Sequence, residues 1–120
     1  MVLNLNGYEQ ELLDGWEEIY KRGQLTLWIL LALQDGPKHM AEIKAYIHGQ
    51  TANVVTADDQ SMYRALRRYN EAGMVTFSNE KISNGPDRKI YELTSVGQNV
   101  LSRFIERNIN SLVGQATKEK

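Results

Sequence analysis

The sequence predicts a single, mainly helical domain that carries a small β-hairpin and closes on a long helix. Three observations predict this. Apolar residues recur at helical spacing through the first 72 positions, in stretches separated by glycines and turn residues. The period then changes to strict alternation over residues 74–78 and again over 89–93. From residue 96 a helical stripe returns and continues to residue 113.

The bounds set by composition agree. At 120 residues the chain is one ordinary domain, large enough for a core of its own and too short for two. With no cysteine, a disulfide framework, a thiolate zinc site and a cysteine nucleophile are all excluded. The longest apolar segment, residues 25–33, is about half of the roughly 18 residues that a membrane helix needs. The first residues show no positive n-region, so a cytoplasmic protein without a signal peptide is expected. The formal charge of −1 hides an asymmetry: Glu9, Glu11, Asp14, Glu17 and Glu18 stand without a single Lys or Arg in the first twenty residues. The remainder carries all 14 basic residues against 10 acidic ones. A mildly basic body behind an acidic arm keeps a nucleic-acid partner open.

Each element has its own signal. Tyr8, Leu12, Leu13, Trp16, Ile19 and Tyr20 lie at helical spacing and define an arm helix, weakened by Gly15. Gly23 is expected to separate this arm from a second, buried helix over 24–34, apolar on nearly every side. Asp35, Gly36 and Pro37 stop that helix with turn chemistry. Residues 38–49 form a shorter amphipathic helix through Met40, Ile43, Tyr46 and Ile47, and 50–55 a loop. Thr56 or Asp58 caps the next helix, which runs to Ala72 and stops at Gly73. The two alternating runs are strands joined by a long turn through Asn84, Gly85 and Pro86. Thr94 or Ser95 caps the last helix, whose stripe is Val96, Val100, Leu101, Phe104, Ile105, Ile109, Leu112 and Val113. The order is that of a winged helix-turn-helix domain (23–93) with an N-terminal dimerisation arm (1–22), a C-terminal dimerisation helix (94–113) and a disordered tail (114–120).

The helix over 58–72 carries the chemistry. Met62, Ala65, Leu66 and Tyr69 make its buried face, while Gln60, Ser61, Arg64, Arg67 and Arg68 fall largely opposite, with Tyr63 at the border. An arginine fork grips a phosphate or the O6/N7 edge of guanine, Gln suits adenine, and the Ser and Tyr hydroxyls donate to phosphate oxygens. Three arginines in five positions are also what a plain solvated helix face looks like. Lys81, Arg88 and Lys89 around the Gly-Pro turn tip the balance, since a basic hairpin then lies beside a basic helix. Lys38 and His39, at the start of the preceding helix, are added as backbone contacts.

Four segments resemble the PadR-type transcriptional regulators: 22–33, 36–43, 62–75 and 85–97. The resemblance implies a winged helix-turn-helix repressor that dimerises through its terminal helices and binds double-stranded DNA. Two positions depart from the usual family pattern: Met40-Ala41 follows His39, and Asp59-Gln60-Ser61 precedes Tyr63. Asp59 adds negative charge near the DNA-facing end and leaves sequence preference open.

Dimerisation also has support in the residues, because the arm and the last helix hold more apolar surface than three short helices can cover. Leu12, Trp16, Ile19, Leu101, Phe104, Ile105, Ile109 and Leu112 are the expected interface of a two-fold pair. The alternative is an arm folded back on its own domain. Two recognition helices related by that axis lie roughly 34 Å apart and imply a pseudo-palindromic operator. By resemblance, a small aromatic effector is a further expected partner, with Tyr8, Trp16, Trp28 and Phe104 as candidate lining. Aromatics at helical spacing are more often core.

An enzyme is not expected. His39 and His48 are nine positions apart and make no same-face metal pair, and adjacent Asp58 and Asp59 cannot face each other. No phosphate-binding glycine loop or nucleophile elbow is present, and no cofactor or metal is expected. The competing function is a winged-helix adaptor that binds protein, which the near-neutral charge favours and the arginine cluster opposes.

Overall fold

The computed structural model describes residues 4–117. Its first helix, α1 (Gly7–Gln34), starts at a capping box: the Asn6 side chain accepts from the Glu9 N–H, and the Glu9 carboxylate accepts from the Asn6 N–H. The helix runs 28 residues without a break. The expected separation at Gly23 is therefore corrected. A glycine costs a helix interior about 1 kcal/mol but removes no hydrogen bond, so flanking helix formers and an anchored end carry the helix through it. That anchor is Ile29, Leu30, Ala32 and Leu33, all buried. The amino-terminal half stands clear of the domain, with Tyr8, Leu12, Trp16, Ile19 and Tyr20 exposed.

Gly36, at φ +145°, turns the chain as the Asp-Gly-Pro sequence predicts. Next comes an element too short for the alternation rule, β1 (Lys38–His39), followed by α2 (Met40–Gln50), the connecting loop, and α3 (Asp59–Glu71). Asp58 caps α3 by accepting from the Ser61 N–H at 2.7 Å, so of the two candidates it is Asp58 that acts. Gly73, at φ +81°, ends α3 and leads into β2 (Val75–Glu80) and β3 (Arg88–Leu93). The sheet is antiparallel in the order β1-β3-β2, with Val75 opposite Leu93, Glu80 opposite Arg88, and Lys38 opposite Tyr91.

The last helix begins at Thr94, whose hydroxyl accepts from the Gly97 N–H and donates to the Gly73 carbonyl. It is α-helical over α4 (Ser95–Phe104), π-helical over Ile105–Asn110, and α-helical again over α5 (Ser111–Thr117). The Asn108 side-chain amide donates to the Phe104 carbonyl at 3.1 Å, within that wider turn. Helical geometry continues past Gly114, where a disordered tail was expected; residues 118–120 lie outside the described residues. The stripe does not stay on one face. Leu101 enters the core at 1% exposure, while Val96, Val100, Phe104, Leu112 and Val113 remain exposed. The core itself joins α1, α2, α3, β2, β3 and α4 through Ile29, Ile43, Ile47, Met62, Leu66, Val75, Tyr91 and Leu101. Among the described residues, no helix is long and apolar enough to cross a membrane.

Candidate nucleic-acid interface

The second helix of the helix-turn-helix presents a polar face because its other face is fixed. Met62 and Leu66 are fully buried, and the Tyr69 hydroxyl meets the Thr26 hydroxyl of α1 at 2.9 Å. At 100° per residue, Gln60, Arg64 and Arg67 then share an outward arc of about 60°. All three are exposed. Arg64, Arg67 and Arg68 make no ion pair among the described residues. Arg68 shares the phase of Ser61, which is half-buried and lines a cleft with Glu18, Lys21 and Arg22 of α1. These two residues therefore flank the arc rather than extend it.

Tyr63 and Arg67 lean toward the wing, where they line a shallow cleft with Phe77, Lys89 and Tyr91. The Phe77 and Tyr91 rings are 6.0 Å apart, and the Lys89 ammonium stands 4.4 Å from the Phe77 ring centre. Desolvation raises the pKa of the Tyr91 phenol, with the Tyr63 phenol adding to it. A second cleft, of about 490 Å³, runs between the start of α2 and the wing and is lined by His39, Tyr63, Arg88 and Lys89. Helix α3, the wing and the start of α2 thus converge on one side of the molecule.

Several basic residues have other engagements. The Lys38 ammonium donates to the Ala32 carbonyl at 2.7 Å and to Asp35 at 2.8 Å, at the carboxyl end of α1, and its side chain is 13% exposed. His39 is the N-cap of α2, and its Nδ1 accepts from the Glu42 N–H. That exchange lowers the Glu42 pKa, chiefly through the His39 N–H. Arg88 is paired with Glu80 at 2.6 Å. Asp59 pairs with Lys44 of α2 at 2.6 Å, which offsets the negative charge that the sequence places at the start of α3. Asp58 is held in its charged form chiefly by the Ser61 N–H, so its carboxylate is a cap. Lys44 and Glu80 escaped sequence reasoning, because their partners are 15 and 8 positions away and only the folded register identifies them.

The expected dimer and ligand residues separate in the same way. Leu12, Trp16, Ile19, Phe104 and Leu112 are exposed, and Ile105 and Ile109 half-buried, whereas Leu101 belongs to the core and is removed from the interface. Tyr8 and Trp28 are twenty residues apart on one straight helix, about 30 Å at 1.5 Å per residue, so they line no common cavity within a chain. Trp28 packs against the core and donates its indole N–H to Gln24. Phe104 lines an apolar cavity of about 240 Å³ bounded also by Gly23, Leu27, Leu30, Val100 and the Thr26–Tyr69 hydroxyl pair. Among the described residues, no cluster of three or more His, Asp or Glu is placed to hold a metal ion.

Known structures share this fold. A PadR family transcriptional regulator from Eggerthella lenta superimposes with a TM-score of 0.75 at 18% identity, over 94% of this chain and 96% of that one. A PadR-like transcriptional regulator from Bacillus cereus gives 0.65 at 20% identity, over 82% and 96%. Bacillus subtilis PadR, in a complex with operator DNA, gives 0.62 at 23% identity, over 68% of this chain and 46% of that one. A search of the curated proteins finds no match to the sequence. The model of the transcriptional regulator PadR-like family matches residues 29–103, more than half of the chain, and the chain belongs to that family.

Proposed function

We propose that the chain is a homodimeric, sequence-specific DNA-binding repressor acting in the cytoplasm on a pseudo-palindromic operator. The observation that carries this reading is the arc of Gln60, Arg64 and Arg67, exposed and unpaired on the helix that a helix-turn-helix lays in the major groove. Lys89 on the adjacent wing and the family membership support it. Gln60 and Arg64 read base edges, while Arg67, Tyr63 and Lys89 hold phosphates.

Two apolar surfaces support a dimer: the free half of α1 (Leu12, Trp16, Ile19) and the exposed stripe of the last helix (Phe104, Leu112, Val113). A second copy covers both at once by two-fold symmetry, which a monomer with a projecting α1 cannot do. The cavity beside Phe104 supports release by a small aromatic effector. It is apolar, holds one hydroxyl pair, and one of those hydroxyls belongs to α3 itself. Planar aromatics that bind there weaken operator affinity and change tryptophan emission; a panel that changes neither removes the effector from the account.

Footprinting on DNA from upstream of the chain's own gene, with sedimentation of the complex, tests the whole reading. Protection of two half-sites about one helical turn apart, by two chains per duplex, is the expected result. Absence of protection on that fragment and on genomic fragments favours a winged-helix adaptor, and a pull-down for protein partners then follows.

A further inference from the structure

Two adjacent cations of the wing are in opposite states. Successive residues of a strand point to opposite faces, so Arg88 and Lys89 diverge. Lys89 stands over the Phe77 ring, on the face shared with Tyr91, where Tyr63 and Arg67 of α3 close the cleft. No carboxylate among the described residues pairs with it. The ring attracts the ammonium weakly and positions it without cancelling its charge.

Arg88 alternates to the other side of the strand, where it still lines the cleft beside the start of α2 with Lys89 but is paired with an acid. It stands in register with Glu80 at the turn end of the hairpin, its Nε 2.6 Å from Glu80 Oε1, and both side chains are about half exposed. Glu42, at the first turn of α2, is a second carboxylate within electrostatic reach of Arg88. A guanidinium binds carboxylate and phosphate through the same donor geometry. A DNA phosphate that docks on Arg88 therefore competes with Glu80 for the same guanidinium and meets its carboxylate as a like charge.

We propose that Glu80 is an internal stand-in for a backbone phosphate: it keeps Arg88 off the DNA, leaves Lys89 as the wing's phosphate-binding cation, and so caps the affinity of the wing. This inference rests on the DNA-binding reading and adds to it a residue that limits binding.

The test is fluorescence anisotropy over a salt series on a mixed-sequence duplex of about 30 base pairs, since phosphate contacts carry no sequence information. Glu80→Gln binds about fivefold tighter, with a slope of log affinity against log salt steeper by about 0.9, the value for one added phosphate contact. Lys89→Ala binds about tenfold weaker, with a slope shallower by the same amount. Glu80→Gln/Arg88→Gln removes the pair without changing net charge and stays within about twofold of wild type. Glu92→Gln, an exposed position on the Arg88 face of β3, changes the charge by the same amount without freeing Arg88, and gains less than Glu80→Gln. The idea is overturned by an unchanged Glu80→Gln, by an equal gain in Glu92→Gln, or by a tenfold loss in the double variant. Thermal unfolding of each variant verifies that the wing is folded. If the wild type binds the duplex and Arg67→Ala weakens it, only this inference is at stake. If the wild type binds no duplex at low salt, the DNA reading fails and the inference with it.

Discussion

The Tyr69 hydroxyl of α3 lies 2.9 Å from the Thr26 hydroxyl of α1, a side-chain bond across 43 positions that fixes α3 to the long helix. It sits, partly buried, at the wall of the apolar cavity. Tyr69→Phe leaves the Thr26 hydroxyl without this partner and lowers stability by about 1 kcal/mol in denaturant titration. Because the aromatic ring is retained, a much larger loss would mean that the hydroxyl pair holds more than a single hydrogen bond.

Gly97 is required for contact rather than for backbone freedom. A Cβ built there collides with the Met74 carbonyl oxygen at the start of the wing, an atom that also accepts from the Thr94 N–H. Backbone cannot yield as a flexible side chain does, so Gly97→Ala costs about 2–3 kcal/mol. The same change at Gly23, where a Cβ meets nothing within 4 Å, stabilises by about 1 kcal/mol. Paired thermal melts of the two variants give opposite signs.

The cap of the last helix gives a sharper contrast. Thr94→Ala loses the bond to the Gly97 N–H and the bond to the Gly73 carbonyl, for about 1–2 kcal/mol. Ser95→Ala, at an exposed position one residue on, stays within about 0.5 kcal/mol. Equal effects in calorimetry would contradict the assignment of the cap to Thr94.

Asp58 predicts a pH dependence. The Ser61 N–H lowers its pKa in the folded state, so its contribution is present above the ordinary aspartate range. That contribution is lost as pH falls through the lowered folded value, where the unfolded chain is already protonated. Asp58→Asn keeps a capping oxygen and removes the titration. Its stability therefore falls less steeply at acid pH than that of the wild type, and parallel acid-unfolding curves would show that Asp58 is not coupled to folding.

The proposed dimer separates two leucines that the sequence places on one stripe. Leu101 is buried in the domain, so Leu101→Asp unfolds the chain itself by placing a charge in the core. Leu112 is exposed on α5, so Leu112→Asp gives a folded monomer, as does Trp16→Asp on the arm. Circular dichroism with sedimentation distinguishes the two outcomes. A dimeric Leu112→Asp moves the interface elsewhere.

How much of this was legible in the sequence follows from which interactions are local. The buried face of α3 and the hairpin are periodic signals, and Met62, Leu66, Val75 and Tyr91 occupy the core as that periodicity requires. The outward arginines follow from the same phase. Gly23 misled because a glycine lowers helix propensity without breaking the hydrogen-bond ladder, and the buried second half of α1 decides the outcome. Two residues of β1 are too few to alternate, and they become strand only by pairing with β3. The π-helical turn over Ile105–Asn110 shifts the phase of the last helix by an amount that no 3.6-residue period encodes. Lys38 read as a free cation because the Ala32 carbonyl that captures it is created by the end of α1. Arg88 read as one for the same kind of reason, since its partner depends on hairpin register.

The central claim is that α3 recognises DNA. Its most direct test is anisotropy of a labelled duplex from upstream of the chain's own gene, against a random duplex, at two salt concentrations. The account predicts tight, salt-sensitive binding that prefers the upstream duplex and is lost in Arg64→Ala/Arg67→Ala, with Arg64 alone contributing about 1–3 kcal/mol. Equal affinity for both duplexes with and without those arginines would contradict it.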